Sequence, residues 1–287
     1  MQTPAAFEYE RATSLDGAIA SLQRLGPEAR VIAGGHSLLP MMKFRLVQTP
    51  KLIDISRLDE LKGVQEFKKG VRIGAATPYA DLVGNSLLRE RCPVVSEVAG
   101  AIADIQVRNR GTIGGSLAHA DPASDMPAVM LALNAEFQLR SKKGGRRTVM
   151  SRDFFQGAFA TDMAEGELLT DILIPGMGRN AAAYIAFDSA ASGYAIAGAC
   201  ASLGRKRATI SEIAVAFTGL AEIAFLAKTF EPVIGTKGDM AVVEKCAADA
   251  LGSVDIGGDI HASAEYRRHL GVVAAKRAVQ AAYERAG

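Results

Sequence analysis

Two glycine-bearing segments of this 287-residue chain hold the residues whose types and spacing suit chemistry. The first is VIAGGHSLLP, Val31 to Pro40; the second is GTIGGSLAHADPASD, Gly111 to Asp125. In the first, Gly34 and Gly35 follow an apolar run, so consecutive main-chain N–H groups can converge on an anion with no Cβ in the way. Ser37 adds a hydroxyl donor. In the second, Thr112, Gly114, Gly115 and Ser116 offer small groups and further N–H donors around one bulky residue, Ile113. Asp121 is placed to cap a helix with Pro122 in its first turn. Asp125 then lies one turn inside, where it suits either a dipole-stabilised surface acid or a carboxylate receiving a ribose hydroxyl. The first segment is neither G-x-G-x-x-G nor a P-loop, so the usual nucleotide folds are disfavoured. The pair predicts one cleft for a long ligand, with a pyrophosphate against the first segment and a ring system against the second.

Elements that position these segments follow from periodicity and punctuation. Phe7 to Glu10 reads as a strand, and TSLDGAIASLQRLG as a helix capped by Ser14 and stopped by Gly26. ARVIAGG and KLIDIS are strands separated by the short crossover HSLLPMMKFRL, which gives a small parallel β-α-β layer over residues 1–57. Residues 58–176 change grammar. VRIGAA, AEFQLRS, RRTV and GELLTDILIP read as strands of a largely antiparallel sheet, with PYADLVG, SLLRERCPVVSEVAGAIA and DPASDMPAVMLAL as helices on one face. IPGMGRNA marks a boundary. Residues 177–287 carry three further strands, AYIAF, YAIAGACASL and ATISEIAVAFTGL, and a terminal helix with Leu270, Val273, Ala274, Ala278 and Ala281 at helical spacing. The expected class is α+β in three units.

Composition narrows the function. A formal net charge of +2 argues against nucleic acid and anionic lipid as partners. The one basic concentration, KKGGRR from Lys142 to Arg147, reads as a solvated hairpin tip. Cys92, Cys200 and Cys246 include no C-x-x-C, so neither a zinc site nor an iron–sulfur cluster assembles from this chain alone. Three separated thiols suit a reduced cytoplasmic protein. The four histidines have no metal-ligand spacing. MQTPAAFEYE lacks a secretory pattern, and no run of about eighteen apolar residues predicts a membrane span.

AGGHSLLPMMKFRL, QVRNRGTIGGSLAHADPASDMPA and DIHASAEYRRHL resemble the FAD-binding medium subunit of the molybdenum hydroxylases, the group that includes carbon monoxide dehydrogenase and, as an internal domain, xanthine dehydrogenase. The resemblance runs over nearly the whole chain. It implies a two-subdomain FAD-binding domain of the vanillyl-alcohol-oxidase (PCMH) type, followed by a C-terminal domain of three-stranded antiparallel sheet and helices. It further implies that Ala33, Gly34, Gly35, His36, Ser37 and Leu38 wrap the FAD pyrophosphate. Gly111, Thr112, Gly114, Gly115 and Ser116 would form the second contact, with Ile113 near the flavin. Asp125 would take a polar group of the cofactor, Leu169 would pack on the ring system, and Tyr194 would stand beside the isoalloxazine. His36 is expected to touch the cofactor without a covalent bond, and His119 to lie near its rim. His261 and His269 are read as solvated or interfacial.

The chemistry so implied belongs to the flavin, and no residue is nominated as a catalytic acid, base or metal ligand. A molybdopterin-binding large subunit would hydroxylate substrate, and a small subunit with 2Fe-2S clusters would carry electrons to this chain's FAD, which reduces an external acceptor. The assembly implied is a dimer of heterotrimers in the cytoplasm. One departure stands out. Where the resemblance calls for a basic run before the tyrosine, this chain has YIAFDSAASGYA, with Ala186, Asp188, Ser189, Ala190, Ser192 and Gly193. The loss of positive charge either alters flavin redox behaviour or falls on surface positions where drift is inexpensive. Two other readings are a flavin-free assembly subunit, which a flavin titration separates, and a self-sufficient FAD oxidase, which needs positioned acid–base groups.

Overall fold

The computed structural model describes residues 3–286. Strands β1 (Glu8–Arg11), β2 (Ala29–Ile32) and β3 (Lys51–Asp54) form a parallel sheet in the order β1-β3-β2. The helix Leu15–Leu25 crosses between the first two strands. The Ser14 side chain accepts the Gly17 N–H at its start, and Gly26 ends it at φ +64°. Its Leu15, Ala18, Ile19 and Leu22 recur every three or four residues and bury against Ile53 and Ile55. This is the expected parallel layer.

A second sheet follows. Its members are β4 (Val64–Phe67), β5 (Gly70–Gly74), β6 (Glu136–Ser141), β7 (Gly145–Met150) and, beyond a separate hairpin of β8 (Phe155–Gly157) and β9 (Ala160–Thr161), β10 (Leu168–Ile174). The order is β4-β5-β10-β6-β7, every neighbouring pair antiparallel. The central strand β10 is buried along its whole length, which is why LLTDILI reads as a continuous apolar run. The basic turn is the β6–β7 hairpin tip, where Lys142, Lys143 and Arg146 are exposed; Arg147 is half-exposed and reaches Asp162 and Glu167, each at 2.6 Å.

Three local expectations change. SLLRERCPVVSEVAGAIA breaks into two helices, Ser86–Arg91 and Pro93–Ala101, because Pro93 has no N–H to continue the first. The GTIGG segment, assigned to no helix by the sequence, is the start of one, Ile113–His119, with the Thr112 hydroxyl accepting the Gly115 N–H. Asp121 does not cap the following helix, which runs from Asp125 to Ala132. Instead its carboxylate accepts the Ala123 N–H at 2.9 Å in a local turn. The cause is tertiary: the carbonyls of Pro122 and Ser124 accept from the Thr218 hydroxyl, and Pro122 also accepts the Gly219 N–H, which holds that stretch out of helix.

The third sheet comprises β11 (Ala181–Asp188), β12 (Ala195–Lys206), β13 (Thr209–Thr218) and a two-residue β14 (Phe225–Leu226), the last added to the three expected strands. Strand alternation splits β12 between two cores. Ala197, Ala199, Ala201 and Leu203 face the helices Met240–Gly252 and Ala264–Arg285. Cys200 and, on β13, Ala216 join the core of the second sheet. The helix Met240–Gly252, capped by Asp239, was not anticipated. Among the described residues no helix is long and apolar enough to cross a membrane.

Candidate functional site

The first glycine segment leaves β2 and turns through Gly35, at φ +80°, into the short helix Leu38–Lys43. Its carbonyls at Gly35 and Ser37 accept the amides of Leu39 and Met41. Among the described residues, no protein acceptor takes the N–H groups of Gly35, His36, Ser37 and Leu38. A run of half-exposed, unbonded amides around a left-handed glycine is the geometry of a backbone anion cradle.

That cradle is clasped to the second segment. A Cβ on Gly34 would collide with the Arg110 carbonyl oxygen and come within 2.9 Å of the Gly111 Cα, so only glycine allows this approach. Beside it, His36 Nε2 donates to the Gln106 carbonyl at 3.2 Å, which puts the ring proton on Nε2. His36 and the residues leading into the GTIGG helix are therefore neighbours.

The second segment differs from expectation in how its amides are used. Gly111 donates to Val107, Ile113 to Thr77, Gly114 to Ala75, Gly115 to the Thr112 hydroxyl and Ser116 to Thr112. These donors are spent inside the protein. Gly114 is glycine because a Cβ there would lie 2.5 Å from the Ala75 carbonyl. Ile113 is fully buried, its side chain in the core. What this segment presents to a ligand is small surface and hydroxyl groups, not a second row of bare amides. Leu169 is also nearly buried. It sits at a bulge where β10 changes register against β6, and the next carbonyl, Thr170, accepts the Ala75 amide. Leu169 is thereby held beside the GTIGG helix.

Beyond the helix start the side chains become polar. The Ser116 hydroxyl lies 2.7 Å from that of Ser124, and the buried Tyr79 is close enough for Ser116 to moderate its phenol. Asp125 Oδ1 accepts from the Tyr184 hydroxyl at 2.5 Å. Burial raises the Asp125 carboxyl to about 6, the Tyr184 bond pulls it back, and the nearby Asp188 adds repulsion. Burial also raises the phenols of Tyr79 and Tyr194, and Tyr194 feels the charges of Asp121 and Asp125. Ser116, Asp125 and Tyr194 thus converge. Tyr79 and Tyr184 join them without any sequence signal, since each looks like an ordinary apolar position of its element. The YIAFDSAASGYA segment forms the β11–β12 turn, with Gly193 at φ +71° and the Tyr194 carbonyl accepting the Ser189 amide. Its one carboxylate, Asp188, is acidic, and partial burial raises its carboxyl. Among the described residues no group of three His, Cys, Asp or Glu side chains could hold a metal ion.

The FAD binding domain in molybdopterin dehydrogenase matches residues 5–177, and the CO dehydrogenase flavoprotein C-terminal domain matches residues 182–282. The chain belongs to this FAD-binding flavoprotein family. Within it, this flavoprotein is 37% identical over 284 residues to the carbon monoxide dehydrogenase medium chain of Hydrogenophaga pseudoflava, covering 98% of this chain and 99% of the relative. It is 38% identical to the glyceraldehyde dehydrogenase medium chain of Sulfolobus acidocaldarius, covering 93% and 95%. Its fold matches carbon monoxide dehydrogenase from Hydrogenophaga pseudoflava with a TM-score of 0.95 at 38% identity, covering 99% of both chains. Quinoline 2-oxidoreductase from Pseudomonas putida 86 follows with a TM-score of 0.93 at 30% identity, again covering 99% of both. The flavoprotein is therefore an FAD-binding oxidoreductase subunit of medium-chain type, with the two-part FAD-binding domain and the C-terminal flavoprotein domain that the resemblance implied. The amide cradle at Gly35–Leu38 fits a diphosphate, and the hydroxyls and carboxylate beyond it fit the polar groups of a dinucleotide.

Proposed function

We propose that this chain is the electron-transfer subunit of a heteromeric molybdenum hydroxylase. It takes electrons from a 2Fe-2S partner subunit and passes them to an external acceptor, while a molybdopterin-binding large subunit oxidises the substrate. Bound FAD supplies the exchange between one-electron and two-electron carriers. The chain's own residues bind and orient. The amides of Gly35, His36, Ser37 and Leu38 hold the pyrophosphate, and His36 fixes their loop on Gln106 without a covalent link. Gly111–Ser116 gives a close-fitting wall of small residues. Asp125, half-neutral near pH 6, accepts or donates toward a ribityl or ribose hydroxyl. Leu169 and Tyr194 border the ring system.

The carrying observation is the row of unbonded amides seated against Arg110–Gly111. The partner subunits are inferred from relatives whose names contain "medium chain". Assembly as a dimer of heterotrimers, in the cytoplasm, is part of the same reading, and three buried free cysteines suit a reducing compartment. Absorbance spectroscopy tests it: the purified chain carries a flavin band that acid releases, and Gly115→Val removes the band while the C-terminal domain stays folded. A colourless chain that cannot be reconstituted with FAD refutes the proposal.

A further inference from the structure

On the outer side of Tyr194 a cleft of about 460 Å³ opens between the β8–β9 hairpin tip, the Asp121–Ala123 turn, the ends of β12 and β13, and the Gly257–His261 loop. Nothing in the site described so far uses its outer wall. Two aromatic rings border it, Phe159 with 56% of its surface exposed and Tyr194 with 47%.

Phe159 is an improbable residue for its place. It is the second residue of a two-residue hairpin turn and sits at φ +58°, a conformation that glycine or asparagine usually takes. Its N–H donates at 3.0 Å to the carbonyl of Ala120, itself at φ +52°, and the His119 ring lies 5.0 Å from its own, tilted by 50°. The fold thus holds a large apolar ring in solvent on a strained backbone, braced from beneath. The turns at Lys68 and Arg207 share that φ with polar side chains, so the feature to explain at Phe159 is the apolar ring left in solvent, which burial does not account for.

The charge of the cleft selects among ligands. Asp121, Glu222 and Asp259 line it. Its arginine, Arg267, is committed to Asp259 Oδ2 at 2.6 Å and to the carbonyls of Ile196 and Gly219, each at 2.7 Å. A dinucleotide bringing two phosphates would meet the Asp121 and Glu222 carboxylates, whereas a planar ring without negative charge meets aromatic walls and an acidic rim.

We propose that this cleft is the docking site of the external electron acceptor, a planar quinone-class ring without negative charge, with Phe159 as its stacking platform, and that it turns nicotinamide dinucleotides away. The proposal rests on the FAD reading above. Reduction of a quinone there to its hydroquinone takes two electrons and two protons, both of which fully reduced FADH2 gives up in returning to FAD.

Equilibrium dialysis of menadione against the oxidised, FAD-loaded full chain tests it, because binding is then read without turnover. Phe159→Asn removes the ring while keeping a residue that tolerates positive φ. It should weaken menadione at least tenfold with flavin content and melting temperature maintained, and Glu222→Lys should raise retention of NAD+, which the unaltered chain does not hold. Unchanged menadione affinity in Phe159→Asn overturns the proposal, as does NAD+ displacing menadione from the unaltered chain. Menadione that binds only FAD-free protein and is displaced by FAD also overturns it, since the cleft is then the cofactor's own. The flavin absorbance is read separately: a chain that takes up no FAD defeats the electron-transfer reading, not the ligand class of the cleft.

Discussion

The hydroxyl of Tyr184, on β11, donates to Oδ1 of Asp125, at the start of a helix packed against the same C-terminal sheet, at 2.5 Å. This bond joins the C-terminal sheet to the segment that carries the GTIGG helix, and it sits where Ser116, Tyr79 and Tyr194 converge. It also decides how the site responds to pH. An unfolded aspartate ionises near 3.9, whereas burial lifts Asp125 to about 6 in the fold.

Between about pH 4 and 6 the folded chain therefore holds a proton that the unfolded chain has released. Stability from this group is full below about pH 4 and declines as pH rises through about 6, by up to about 3 kcal/mol in all. Asp125→Asn keeps an acceptor for Tyr184 and should flatten that part of the curve. Thermal denaturation of FAD-free protein from pH 4 to pH 8 checks this; an identical slope in the variant would refute it.

Tyr184→Phe should act in the opposite sense. The bond favours the ionised carboxylate, so its loss pushes Asp125 further up and extends the decline to higher pH. The same titration series reads it, with a midpoint that moves upward as the expected result.

Gly34→Ala should separate the two glycine segments, because the new methyl would occupy the space of the Arg110 carbonyl. Overpacking of this kind costs about 1–3 kcal/mol. The distinguishing readout is the flavin-to-protein absorbance ratio, which should collapse while the far-UV spectrum stays near that of the parent. Full flavin retention would show that the clasp does not shape the cradle.

Gly114→Ala is expected to destabilise the fold itself. Its Cβ would stand 2.5 Å from the Ala75 carbonyl oxygen and 2.7 Å from the Ala75 Cα, both backbone atoms that cannot swing aside. A loss of about 2 kcal/mol or more, measured by urea denaturation, is the expected outcome. A neutral effect would mean the GTIGG helix is free to shift.

Arg267→Ala should loosen the C-terminal domain near the cleft. The variant leaves the Ile196 and Gly219 carbonyls without their donor, at about 1–3 kcal/mol for each group left unsatisfied in the interior. It also releases Asp259, whose carboxyl the Arg267 hydrogen bond holds down at about 2. The stability that pairing gives is present above about pH 4 and lost as pH falls toward 2, so the variant should show a shallower acid limb. Circular dichroism melts across that range read both effects.

The sequence by itself determined the elements and much of their grouping. Ser14 and Gly26 bracket the first helix because capping is a contact between residues three apart. The parallel and antiparallel layers follow from strand spacing, and the glycine pairs locate the segments that approach one another. These are short-range signals, carried by side-chain periodicity and backbone freedom that a linear reading retains. The amides of Ile113 and Gly114 were beyond such a reading, since their acceptors Thr77 and Ala75 lie more than thirty positions upstream. Asp121 lost its capping role to carbonyl contacts with Thr218 and Gly219, nearly a hundred positions away. Tyr184, Phe159 and Arg267 gained their places in the same manner. Only the tertiary structure decides such partners, because a hydrogen bond or a burial cost depends on which distant atoms the packed cores bring within a few ångströms.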